Sequence, residues 1–214
     1  TGVAMMILLE QGKWQLNDPV SEYIPEFADL KVAKVDPATG NVTPVAANHP
    51  MTMRGLVSHS GGLTYGLFGS TAVDKQYVEQ HVLDLSQPMQ TMIDKLGKLP
   101  LLFQPGERWH YSVAVDVQGY LVEKLSGQPF PEFLQQHVFG PLRMVDTAFH
   151  VPPEKMDRFV EFYFRGKDGS TVKHPNVEDY SKPPVFPSGG GGLVSTASDY
   201  MRFCQMLLNG GVLD

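Results

Sequence analysis

The residues best suited to chemistry lie in Pro105-Gly-Glu-Arg-Trp-His-Tyr111-Ser-Val-Ala-Val-Asp116-Val-Gln-Gly119. Pro-Gly makes a turn, an aromatic-rich extended piece follows, and Tyr111 stands at the entry to a helix. A phenol there lies near the positive end of the helix dipole, where negative charge is stabilised, and is suited to moving a proton at a reacting group. The same spacing fits a half-buried tyrosine whose hydroxyl meets a backbone partner, and the residues alone leave both readings open. Asp116 reads as a helix-turn carboxylate with a structural hydrogen bond. Trp109, His110 and Phe103 fit either an acyl pocket or core packing.

Other patterns carry less. Ser170-Thr-Val-Lys173 satisfies the Ser-x-x-Lys spacing of serine acyl-transfer enzymes. That chemistry needs both residues on one helix face, so that the amine can reach the hydroxyl. Here the stretch follows an Asp168-Gly169 turn, and on a strand positions i and i+3 point to opposite faces. Gly189-Gly-Gly-Gly192 is followed by Leu193-Val194 rather than the Lys-Ser/Thr of a phosphate loop, and reads as a close backbone crossing. Seven His residues show no His-Glu-x-x-His or equivalent spacing, so no metal site is expected. A Gly-x-Ser-x-Gly elbow is absent.

The elements that must position these residues are mostly helical. Gly2–Glu10 is apolar on nearly every face, as a central core helix would be, and Gly12 ends it. Lys13–Phe27 reads as a turn-rich connection with spaced apolar anchors. Residues 31–50 carry the turn signal Asp36-Pro-Ala-Thr-Gly-Asn41 and read as an exposed loop or short hairpin. Thr52 caps a short helix to about Ser58, and Ser86 is the expected cap of another over Pro88–Leu96. Ser112–Leu125 is the clearest mid-chain helix, ended by Gly127, and Phe130–Val138 follows as a short amphipathic one. Arg158–Lys173 has a hairpin pattern around Gly166-Lys-Asp-Gly169. In the last helix Ala197, Met201, Cys204 and Leu208 repeat at helical spacing, with Thr196 or Ser198 as cap.

Composition sets the limits. The chain has 214 residues, 17 Lys plus Arg against 23 Asp plus Glu, and a net charge of −6. That balance argues against a nucleic-acid partner. An apolar share of 42% excludes a disordered chain. The seven-residue apolar run Val3–Leu9 is far short of the roughly 20 needed to span a membrane. One Cys allows no internal disulfide and favours the cytoplasm; a periplasmic or secreted location stays open, because a signal segment would precede Thr1. The 21 Gly and 17 Pro exceed the average share of about 12% and point to many turns.

Pro105-Gly106 followed by Tyr111-Ser112 resembles the second motif of class C β-lactamases, penicillin-binding D-alanine carboxypeptidases and family VIII carboxylesterases. Three further blocks share the family's order. Leu56-Val-Ser-His-Ser-Gly-Gly-Leu63 is similar to its Leu-Leu-x-His-Thr-Ser-Gly-Leu segment, and Leu16-Asn-Asp-Pro-Val20 with Tyr23-Ile-Pro-Glu-Phe27 to the piece after its first helix. Gly190-Gly-Gly-Leu-Val-Ser-Thr-Ala197 leading to Met206-Leu-Leu-Asn-Gly-Gly211 is similar to its later glycine stretch and helix. The resemblance implies an α/β (α+β) β-lactamase/transpeptidase-like fold. Residues 1–214 would be the central, mainly helical part of one domain, most of the antiparallel sheet lying outside them.

The same resemblance implies a serine hydrolase with Tyr111 as its catalytic tyrosine. Its Ser-x-x-Lys and its Lys-Thr-Gly or His/Trp-x-Gly motif are expected outside the chain, which alone should be inactive. His59-Ser-Gly61 imitates the third motif but precedes the tyrosine, in the wrong order. Where the β-lactamase branch has Tyr-x-Asn, Val113 stands and cannot donate, while Tyr-Ser-x-x-x-Asp-Val-x-Gly has the form of family VIII carboxylesterases. The implied substrate is a small acyl ester, with a β-lactam or D-alanyl peptide as the alternative and a non-catalytic binding homologue as the second. Trp109, Val113 and Phe103 are the implied substrate-binding positions. No cofactor is called for.

Overall fold

The computed structural model describes residues 1–36, 38–174 and 179–212; Pro37, within the expected Asp36–Asn41 turn, lies outside them. Helix α1 spans Gly2–Glu10 and buries Ala4, Met5 and Leu8. The expected connection after it has two 3₁₀ turns, Val20–Glu22 and Pro25–Phe27, whose anchors Val20, Ile24 and Phe27 are buried. Of the two readings open for residues 31–50, the strands of a short hairpin are present. Strand β1 (Lys31–Val35) pairs antiparallel with β2 (Val42–Ala46), Lys31 opposite Ala46. On its other edge β1 meets Leu101, whose N–H reaches the Lys31 carbonyl at 2.7 Å.

Thr52 caps α2 (Met53–Val57) by accepting from the Gly55 N–H, as its sequence predicts. Helix α3 (Ala72–Glu79) has no counterpart among the expected elements. It is held by a capping box in which Thr71 and Asp74 satisfy each other's backbone N–H groups. Helix α4 spans Met89–Leu96, but Pro88 rather than Ser86 is its N-cap. The Ser86 hydroxyl instead donates to Asp84 at 2.6 Å, a local turn that competes with capping.

Helix α5 (Ala114–Ser126) carries the core, with Val117, Leu121 and Val122 fully buried, each stabilising the fold by about 1.5–3 kcal/mol. Helix α1 packs on it. It starts two residues later than the sequence suggests, with Val113 as its N-cap, and the Val113 N–H, which no helix turn would use, goes to the Thr64 carbonyl at 3.3 Å. Gly127 closes it at φ +73°, a left-handed cap that glycine adopts without a Cβ clash. Helix α6 (Phe130–Leu134) runs into a π-helical turn over Gln135–Phe139.

The expected second hairpin is present but begins at Tyr163 rather than Arg158, which ends a 3₁₀ helix over Pro153–Arg158. Strands β3 (Tyr163–Arg165) and β4 (Thr171–Lys173) pair with Phe164 opposite Val172. Thr196 caps α7 (Ala197–Leu208). Its orientation departs from expectation: Met201 and Leu208 of the predicted apolar stripe are exposed. Asp199 and Met206 are the buried residues, because Asp199 is drawn inward by the Asp146 N–H at 2.7 Å and the Thr147 hydroxyl at 2.9 Å. Among the described residues the architecture is therefore mainly helical, with two small antiparallel hairpins.

Candidate active site

Two of the sequence motifs lie side by side. The Gly106 N–H donates to the Ser60 carbonyl at 2.7 Å, the His110 N–H to the His59 carbonyl at 2.8 Å, and the Leu102 N–H to the Gly62 carbonyl at 2.7 Å. The Ser112 N–H donates to His59 Nδ1 at 3.2 Å. These bonds lay residues 101–113 along residues 59–64 and deliver Tyr111 to the mouth of α5.

Tyr111 is 42% exposed, and among the described residues no hydrogen bond engages its hydroxyl. Its ring stacks on Tyr65 (5.4 Å between centroids, 10° between planes), lies against His59 (5.1 Å) and meets Phe68 at 6.1 Å. Trp109 is exposed and edges onto His59 at 6.2 Å. Phe103 and Val113 are buried in packing: Phe103 carries the Arg108 guanidinium 4.7 Å from its ring centre, and Val113 is part of the core. Of Tyr111, Trp109, Phe103 and Val113, only Tyr111 and Trp109 are exposed, and His110, the other pocket candidate, is partly buried. Sequence reasoning passed over Tyr65 and Phe68, which complete the aromatic surround; their neighbourhood to the Leu56–Leu63 block was the available signal.

The polar groups beneath are settled. Asp116 is fully buried and bears out its structural reading. Its Oδ1 accepts from the Ser188 hydroxyl at 2.6 Å and the Gly190 N–H at 3.1 Å, tying α5 to the glycine stretch, while Oδ2 has no partner. Burial pushes its carboxyl above the usual carboxylate range. Tyr65 is pushed up to about 12, by burial first and then by the charges of Asp116 and Tyr111. Burial also lowers His59, and the neighbouring His110 adds to this. The surround of Tyr111 is thus aromatic. The glycines act as expected: a Cβ on Gly189 would run into the Val115 carbonyl.

The serine–lysine pair in the chain is not a site. The Ser170 hydroxyl donates to Asp168 at 2.6 Å and Lys173 pairs with Glu161, both on an exposed hairpin. Among the described residues no group of three or more His, Cys, Asp or Glu could hold a metal, and no helix is long and apolar enough to cross a membrane.

Comparison with known proteins adds the context of the site. The family model described as Beta-lactamase matches residues 1–214. Protein Rv1367c of Mycobacterium tuberculosis is 35% identical over 219 residues, which cover 100% of this chain and 52% of that protein. Esterase EstB of Burkholderia gladioli is 29% identical over 224 residues, 96% of this chain and 53% of EstB. The chain thus spans about half the length of the curated relatives it matches. The solved structure of EstCE1, described as a hydrolase with promiscuous acyltransferase activity, superposes with a TM-score of 0.79 at 24% identity, over 97% of this chain and 56% of that one. That likeness carries the fold, which is β-lactamase/transpeptidase-like.

Proposed function

The chain belongs to the beta-lactamase family, and from that premise we propose that it is part of a serine hydrolase, a carboxylesterase acting on small acyl esters, with Tyr111 as its catalytic tyrosine. The observation that carries this reading is Tyr111 itself: exposed at the mouth of α5, with its hydroxyl unengaged among the described residues and set in an aromatic surround. Its neighbours favour a neutral apolar acyl or alkyl group over a substrate carrying a carboxylate. Val113, buried in the core, offers no amide to a substrate side chain.

In the proposed reaction a serine outside residues 1–214 attacks the ester carbonyl. Its oxygen forms the new acyl bond, and its proton passes to Tyr111 acting with a lysine of the same outside segment. The proton then goes to the departing alkoxide as the bond between acyl carbon and alcohol oxygen breaks. Water repeats the sequence on the acyl-enzyme and regenerates the serine.

The test compares turnover of p-nitrophenyl butyrate and of a chromogenic cephalosporin by the intact protein that contains this chain. Ester turnover is expected to exceed cephalosporin turnover. The reverse order would assign the protein to the β-lactamase or D-alanyl carboxypeptidase side, and turnover of neither would leave a binding homologue.

A further inference from the structure

Tyr111 is two-fifths exposed, and the N–H groups of the residues on both sides of it are held by one residue, His59. We propose that His59 is the positioning residue for Tyr111. It would act through a neutral imidazole whose Nδ1 holds the backbone on one side of the tyrosine while its carbonyl holds the other. The proposal rests on the assignment of Tyr111 as catalytic.

The geometry is specific. The His59 carbonyl takes the N–H of His110 at 2.8 Å, and its Nδ1 takes the N–H of Ser112 at 3.2 Å. A single residue therefore holds the N–H groups of the residues before and after Tyr111, and its ring lies 5.1 Å from the tyrosine ring. Ser112 Oγ, 3.1 Å from Nδ1, accepts in turn from the Ala114 N–H at 3.3 Å, which links the clamp to the first turn of α5. His59 achieves this with φ +56°, a left-handed backbone that a side-chain-bearing residue adopts only at a cost of about 1–2 kcal/mol. Such strain persists where surrounding contacts over-determine it.

The clamp selects a tautomer. A backbone N–H can only donate, so the Ser112 bond requires the Nδ1 lone pair and with it a ring proton on Nε2. Protonation of His59 would place a donor at Nδ1, which loses the Ser112 N–H and turns to the Ser112 Oγ at 3.1 Å instead. The titratable groups facing the ring are His110 and Tyr111. His110 is in turn engaged through Nε2 by the Thr64 hydroxyl at 3.2 Å. Burial and His110 both disfavour the imidazolium, which keeps the clamp closed at neutral pH and opens it on acidification. The His59-Ser-Gly61 stretch, which imitates a catalytic motif out of order, thereby acquires a role of its own.

The test uses two variants of the intact protein. Asn tolerates the left-handed backbone, its side-chain carbonyl can accept from the Ser112 N–H, and it does not titrate. His59→Asn is expected to keep kcat for p-nitrophenyl butyrate within about threefold of wild type at pH 8 and to lose the acid-side fall in kcat that His59 contributes. His59→Ala is expected to lose about 100-fold in kcat, the scale of an ångström-level misplacement, with little change in KM. Amide exchange at Ser112 reports the clamp without any turnover. Its protection should drop in His59→Ala and in acidified wild type, and persist in acidified His59→Asn. Wild-type kcat and Ser112 protection in His59→Ala would overturn the proposal. So would a His59→Asn protein that retains the wild-type acid limb and loses Ser112 protection on acidification. If wild type turns over no ester, the esterase reading fails while amide exchange still decides the clamp, and if His59→Ala does not fold, His59→Asn decides alone.

Discussion

Replacing Asp74 should destabilise the protein by an amount that can be built from its contacts. Asp74 is 1% exposed and sits in the first turn of α3. One carboxylate oxygen takes the Thr71 N–H at 3.0 Å and the Thr71 hydroxyl at 2.7 Å. The other takes the Thr64 hydroxyl at 2.5 Å, and Thr64 in turn contacts His110. Asp74→Ala removes the capping contribution, about 1 kcal/mol, and a buried charge-assisted bond, about 1.5–3 kcal/mol. The expected loss is roughly 3 kcal/mol at pH 7, read from urea unfolding of the intact protein. Burial pushes the Asp74 carboxyl up, but the hydrogen bonds from Thr64 and Thr71 together outweigh it, and the group titrates below its ordinary value of 3.8. A depressed carboxylate contributes stability that is fully present above the unfolded-state value and is lost as pH falls through the folded one. The gap between wild type and Asp74→Ala should therefore narrow on acidification below about pH 4. A loss under about 1 kcal/mol, or a gap that stays constant down to acid pH, would refute the network as described.

Three further outcomes follow from the packing. Gly189→Ala places a methyl against the Val115 carbonyl and should cost about 1–3 kcal/mol in thermal or urea unfolding, whereas Gly191→Ala, with open space around it, should cost far less. Asp116 has a raised carboxyl, so the folded state holds its proton longer, and stability contributed at this site should fall as pH rises from the unfolded-state value through the folded one. Asp116→Asn should remove that slope from a pH series of unfolding free energies. Ser170→Ala and Lys173→Ala should leave ester turnover of the intact protein unchanged, since both side chains are committed to hairpin contacts with Asp168 and Glu161.

What the sequence made legible was local. The Thr52 cap, Gly127 and the Asp168-Gly169 turn specify their elements through near neighbours, and α2, α5 and the β3–β4 hairpin follow from them. Helix α3 was also signalled locally, by the Thr71-x-x-Asp74 box, but its weak apolar stripe of Val73 and Tyr77 hid it among turn residues. Ser86 misled because Asp84, two residues earlier, captured its hydroxyl. The face of α7 could not be read from periodicity, because a buried contact from Asp199 to Asp146 and Thr147, some fifty residues away, decides it. The same holds at the candidate site. Tyr111 stood out by motif, but His59, Tyr65 and Phe68 reach it only through the pairing of residues 59–64 with residues 101–113, and Val113 is packed into the core.

The central claim, that Tyr111 moves the proton in acyl transfer, is tested most directly by trapping the acyl-enzyme. Intact protein mixed with p-nitrophenyl butyrate and quenched on the millisecond-to-second scale should gain one butyryl group by mass, carried on a serine outside residues 1–214. In Tyr111→Phe the same adduct should form about 10²–10⁴-fold more slowly, with the fold retained because the ring packing on Tyr65 and His59 survives. An adduct that forms at the wild-type rate in Tyr111→Phe, or no adduct in wild type, would contradict the account.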